Sequence, residues 1–183
     1  MHVQPMTTQR PARFEAYPTD RFVEIVETWV NHPWPITTEE AKEIYESIGY
    51  RPYVPDPSLF ASDLSIDGEP DSYYTQSDGY INTANITVTR RGEKGTERHN
   101  ADKIEKIYKQ YCNAIDTLVS KRLTRRHQQD SATEWFIDNN VNIRVGNPGH
   151  RVTFSISSPT MTQLRREEQE MGLASYDEIL EDD

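Results

Sequence analysis

Five histidines, one cysteine and thirty carboxylates are the groups in this chain from which acid–base, nucleophilic or metal chemistry would be built. His2, His32, His99, His127 and His150 are spread along the chain with no H-E-x-x-H pair, so a zinc site would rest entirely on tertiary contacts. Cys112 excludes an internal disulfide and falls in a helical apolar pattern, where a buried, inert thiol is expected. The G-x-S-x-G elbow of serine hydrolases is absent, and Cys112 and His127 are too far apart along one helix and its exit to face each other. Asp67 with Glu69 and Glu39 with Glu43 are chemically suitable acid–base pairs, but thirty acids produce such pairs by chance, and a solvated surface is expected. Asp63, Asp67, Glu69 and Asp71 loosely resemble a calcium loop without the full D-x-[DN]-x-[DN]-G spacing or its closing Glu. Neither glycine-rich nucleotide-binding pattern occurs. These residues therefore assign no catalytic group, metal or cofactor.

The distribution of charge says more. From Pro52 to Thr89 there are Asp56, Asp63, Asp67, Glu69, Asp71 and Asp78 but no Lys or Arg, and Tyr53, Phe60, Tyr73, Tyr74 and Tyr80 lie among them. An acidic surface with interleaved aromatics suits a basic protein partner and repels nucleic acid and anionic membrane. The net charge of −10 agrees, because a general nucleic-acid binder needs a basic face to displace phosphate counterions. Residues 81–130 are locally basic, with 11 bases against 6 acids. Lys103, Lys106 and Lys109, with Lys121, Arg122, Arg125 and Arg126, are expected to form the wet face of a helix. Met1 to Arg13 lacks the apolar run of a secretory leader, and no stretch approaches the roughly 18 apolar residues of a membrane span, so a cytoplasmic protein is expected.

The elements that must position these residues follow from periodicity. Phe22, Val23, Ile25, Val26, Trp29 and Val30 predict an amphipathic helix capped by Thr19 or Asp20 and ended by Pro33 and Pro35. Thr37 and Glu40 match a capping box, Ile36 and Ala41 a hydrophobic staple, and Gly49 a left-handed C′ position, which together delimit a second helix. Pro52, Pro55 and Pro57 predict a stiff connector, followed by half-buried strands over 59–66 and 79–90 with an exposed loop, 67–76, between them. Residues 91–99 predict a mobile loop and Asn100 the cap of the longest helix, whose buried face runs from Ile104 to Val119. After a polar linker, residues 134–137, 141–145 and 150–157 alternate as a three-stranded meander, and a last helix spans about 160–171.

Strands grouped on both sides of one helix predict an α+β fold: a mainly antiparallel sheet packed on one long central helix, with two N-terminal helices and a short C-terminal one. The expected organisation is a flexible N-terminus (1–18), a single domain (19–172) and an acidic C-terminal tail (173–183).

Trp34-Pro35-Ile36-Thr37 leading into Glu40-Ala41, the close at Ile48-Gly49-Tyr50, Gly79-Tyr80-Ile81 and the alternating Ile86-Thr87-Val88-Thr89 resemble a group of small actinobacterial proteins similar to immunity proteins of secreted polymorphic toxins. The resemblance points to the immunity factor of an NAD-hydrolysing toxin as a functional relative. The resemblance spans roughly residues 22–160 and is sharpest at the W-P-I-T helix entry. It implies a cytoplasmic antitoxin that occludes a cognate protein toxin without catalysis, as a monomer or weak homodimer when free, and it brings no catalytic residues. The expected partner-binding residues are Tyr53, Asp67, Glu69, Asp71, Tyr73, Tyr74, Arg91 and Lys94. Two other classes compete: an acidic secretion chaperone, which predicts a stable homodimer with an exposed apolar groove, and a hydrolase of unrecognised type, which predicts turnover at a small cleft with perturbed carboxylates.

Overall fold

The first helix, α1 (Thr19–Val30), forms where apolar residues recur every three or four positions, and Phe22, Ile25, Val26, Trp29 and Val30 are all buried. In the computed structural model, which describes residues 13–172, its cap is neither Thr19 nor Asp20. Pro18 takes that place, its carbonyl accepting from Phe22 N at 3.0 Å, and Thr19 becomes the first helical residue. The second helix, α2 (Thr38–Ser47), has the capping box its sequence predicts: Glu40 N donates to Thr37 Oγ1 at 3.1 Å and Thr37 N to Glu40 Oε1 at 3.3 Å. Ile36 and Ala41 are both fully buried, and Gly49 has φ +90°, a conformation that strains any side chain.

The long helix, α3 (Glu97–Leu118), starts before the expected cap, with Asn100 already inside its first turn. Thr96 precedes it, and its hydroxyl donates to Glu93 O at 2.6 Å instead of capping the helix. Buried Ile104, Tyr108, Tyr111, Cys112 and Ile115 form its inner face, and burial raises the pKa of the Cys112 thiol. Tyr111 stacks on Phe22 of α1, with ring centroids 3.8 Å apart, and Phe22 meets Phe154 edge-on at 5.6 Å.

Ten strands among the described residues complete the frame. β1 (Glu15–Ala16) and β6 (Thr89–Arg90) form a small antiparallel pair. With Phe14 only 4% exposed, the packed unit reaches further toward the N-terminus than the expected boundary at residue 19. β2 (Arg51–Tyr53), β3 (Asp56–Ala61), β4 (Ser72–Ser77), β5 (Tyr80–Asn85), β7 (Leu123–Gln128), β8 (Ala132–Ile137), β9 (Asn142–Gly146) and β10 (Thr153–Ser157) form one sheet in the order β2-β3-β4-β5-β10-β9-β8-β7. Every pairing in it is antiparallel, and β10 joins the two meanders by lying between β5 and β9. The last helix, α4 (Pro159–Glu170), is capped by Ser158, whose hydroxyl accepts from Met161 N at 3.1 Å.

The architecture is the expected α+β one, with five departures in its detail. The exposed loop predicted over 67–76 is half strand: β4 takes Ser72–Ser77, because Ser72 and Tyr74 turn toward the core and the Tyr-Tyr-Thr run suits a pleated surface. The proline connector contains the short strand β2, and the strand predicted at 59–66 lies earlier, at Asp56–Ala61. The strand predicted at 79–90 is divided into β5 and β6. Finally, the bases of the polar linker belong to no helix: Arg122 lies in the turn after α3, and Arg125 and Arg126 lie in β7. The expected flexible residues 1–12 and acidic tail 173–183 lie outside the described residues.

Alternation assigns the two faces of the sheet. Thr133 and Trp135 of β8 face α3, where Tyr108 Oη is 2.9 Å from Thr133 Oγ1 and Trp135 Nε1 donates to Asp116 Oδ1 at 2.8 Å. Phe136, between Trp135 and Ile137, must then face the other way, and there it meets Arg166 of α4. Helices α1 to α3 thus cover one face, whereas α4 crosses part of the other.

Candidate functional site

On the face that carries α4, the cross-strand registers place polar side chains in rows. Glu134, Arg144, Ser155, Asn85 and Tyr73 lie side by side across β8, β9, β10, β5 and β4, and Asn142, Ser157, Thr83 and Thr75 form the next row. α4 shelters the second row, with Thr162 buried beneath it and Thr83 Oγ1 3.0 Å from Ser157 Oγ. Beyond the helix the sheet is open, and a shallow hollow of about 70 Å³ is lined by Asp71, Tyr73, Asn85, Thr87, Arg151 and Thr153 among others. Drug-sized ligands need roughly 300 Å³ or more, so the hollow is scaled to a single protruding side chain.

Its polar groups are held firmly. Thr87 Oγ1 donates to Asp71 O at 2.8 Å, and Thr87 N donates to Ser72 Oγ at 2.9 Å. Although Asp71 as a whole is exposed, protein on one side of its carboxyl removes water and raises its pKa, against the opposing pull of the Ser65 and Thr87 hydroxyls and of Arg151. At the same end, burial lowers the pKa of His150, and Arg151 and Arg91 lower it further while Glu97 opposes them. Arg91 itself lies 3.9 Å from Glu97. Among the described residues there is no group of three or more His, Cys, Asp or Glu able to hold a metal ion, and no helix is long and apolar enough to cross a membrane.

The structure brings some of the expected site residues together and separates others. Asp71 and Tyr73 share the hollow, and the charge of Arg91 acts on His150, the neighbour of the lining residue Arg151. Asp67 and Glu69 sit at a tight turn closed by Glu69 N donating to Ile66 O at 2.9 Å, with Asp67 at φ +53°. Tyr53 is on the outermost strand β2, and Lys94 is exposed in the loop before α3. Tyr74 is the exception, since it turns to the helix-covered face, half-buried with its ring 6.3 Å from that of Phe60, and burial raises its hydroxyl pKa. Adjacent strand residues point to opposite faces, so Tyr73 and Tyr74 cannot both contact one partner on the open face.

Asn85, Thr87, Arg151 and Thr153 also line the hollow, and none belongs to the expected partner-binding set. Polar residues at 83, 85 and 87 alternate with buried Ala84, Ile86 and Val88, and this period is the signal that marks them. No curated protein and no solved structure matches the chain. The model of a family of unknown function, DUF6301, matches residues 20–158, and the chain belongs to that family.

Proposed function

We propose that this protein is a non-catalytic immunity protein of the bacterial cytoplasm, which binds a cognate secreted toxin and covers its active site. The observation that carries this reading is the presentation of Tyr53, Tyr73 and Tyr80, 38%, 44% and 48% exposed, on or at the ends of paired antiparallel strands within the segment that has no Lys or Arg. Tyrosine fixed on a strand offers a large amphipathic contact at low entropic cost, and a surrounding acidic rim favours a basic counterpart. An interface of standard size, about 1,600 Å², extends well beyond the hollow and takes in the turn bearing Asp67 and Glu69. The likeness of the Trp34–Thr37 helix entry to immunity proteins of polymorphic toxins supports the same reading, with an NAD-hydrolysing toxin as the first partner to try.

The test is affinity capture of the tagged chain from its native host, with low- and high-salt washes and mass spectrometry. A single stoichiometric partner whose expression kills cells lacking this protein is the expected result. Recovery of the protein alone, or with many exported proteins, would overturn the reading. With the partner in hand, replacing Tyr53 and Tyr73 by Ala should cost on the order of 2 kcal/mol of binding, roughly thirtyfold in Kd.

A further inference from the structure

The two edges of the large sheet differ. β2 is three residues long, contains Pro52, is bulged between Pro52 and Tyr53, and is followed by Pro55 and Pro57. These are the devices by which a sheet edge is closed to further pairing. β7, at the opposite edge, has six residues, no proline and only His127 less than exposed, and after a bulge between Leu123 and Arg125 it runs in regular register from Arg125 to Gln128. Among the described residues it pairs with β8 alone, which leaves one side of its backbone without a neighbouring strand there.

Its cations are divided by the pleat. On the α3 side, Arg126 is consumed by two bonds to Asp116 at 2.8 and 3.3 Å and one to Gln128 at 3.0 Å. On the α4 side, Arg125 lies 5.6 Å from the centre of the Phe136 ring, and Arg166 of α4 lies 6.0 Å from the same ring. Neither guanidinium has a carboxylate partner among the described residues. Two like charges have thus been brought to one aromatic ring at the sheet edge, and neither makes an ion pair with a described residue. His127 is the next residue on that face, opposite Glu134, which in turn stands opposite Arg144.

We propose that β7 is a docking strand for an extended acidic segment of a partner protein, which adds to the sheet with its carboxylates on the α4 side, against Arg125 and Arg166. Backbone bonds to β7 would supply affinity, and the two guanidiniums would select Asp or Glu at alternate positions. A second copy of this chain is disfavoured as occupant, because β7 against β7 brings the arginines of two strands together with no acid on either strand. The site is separate from the tyrosine-bearing end and does not depend on the partner there being a toxin.

The probe is a capped Glu-Val repeat peptide titrated at low salt into the isotopically labelled full chain and followed by amide and arginine side-chain NMR. Shifts should concentrate on β7 and on the Arg125 and Arg166 side chains, fade with added salt, and be absent with a Lys-Val repeat. The R125E/R166E pair should weaken binding by roughly tenfold or more, with R125Q/R166Q as the milder substitute if charge reversal disturbs the fold. Unmoved β7 amides, or equal binding by the variants, would overturn the proposal. So would β7 shifts that follow protein concentration without peptide, which would make a second copy the occupant.

Discussion

The hydroxyl of Tyr45, a fully buried residue of α2, sits 3.1 Å from the carbonyl oxygen of Tyr73, whose own side chain is exposed on the far face of the sheet. The same hydroxyl reaches Asn85 O at 3.0 Å, so it bridges β4 and β5 directly behind the hollow. Stacking on Phe60, with centroids 4.0 Å apart, and an edge contact with Trp29 at 5.0 Å hold the Tyr45 ring in place. Burial raises its pKa well above the ordinary tyrosine value, so the group remains a neutral donor. The core thereby fixes the backbone from which Tyr73 projects.

Replacing Tyr45 by Phe should therefore cost about 1 kcal/mol of stability, the net worth of a buried hydrogen bond. Urea denaturation measures the cost directly, while amide shifts at Tyr73 and Asn85 report whether the strand pair has loosened. An unchanged midpoint together with unchanged shifts would mean that the bridge is inconsequential.

The capping box allows a sharper comparison. Thr37→Ala removes the acceptor for Glu40 N and should destabilise by about 1 kcal/mol, whereas Thr37→Ser, which keeps the oxygen, should cost less than half of that. Thermal unfolding of the three proteins side by side is sufficient. The Trp34–Pro35 peptide just before this cap is cis.

Asp116 holds two partners at once, Trp135 Nε1 at 2.8 Å and Arg126 Nε at 2.8 Å. Asp116→Ala leaves the indole donor of the fully buried Trp135 unsatisfied and should cost about 2 kcal/mol, whereas Asp116→Asn retains an acceptor and should recover part of it. Chemical denaturation monitored by tryptophan fluorescence distinguishes the two. Equal losses would assign the effect to the Arg126 charge pair.

His150 supplies a pH test. Its pKa in the folded protein lies below the ordinary 6.5, chiefly because of burial and then because of Arg151 and Arg91. The unfolded chain therefore binds this proton more readily, and the stability held at pH 7 diminishes as pH falls through 6.5 toward the folded value. An imidazole titration followed by NMR should give a midpoint below 6.5, and Arg91→Gln should move it upward. A midpoint unaffected by Arg91→Gln would separate that loop from the hollow.

What could be read from the sequence was governed by local rules. The helix period in Phe22–Val30 and Ile104–Val119, the Thr37–Glu40 box and the turns flanking 141–145 each depend on neighbours a few residues away, and each element forms where that pattern lies. The α+β class followed from the order of these elements. Strand order did not, because β10 enters between β5 and β9 through pairings of residues about 70 positions apart, which no local pattern encodes. The same limit explains Tyr73 and Tyr74: a Tyr-Tyr pair in an acidic stretch reads as an exposed loop until pairing with β3 and β5 imposes a pleat and sends one ring outward and the other toward Phe60. It also explains β7, where bases that suit the wet face of a helix form a sheet edge, because pairing along β8 binds their backbone. Composition alone determined that the segment from 52 to 89 is acidic, aromatic and free of bases; only the tertiary structure decided which of its side chains face outward, since facing is a property of paired strands and not of the residues themselves.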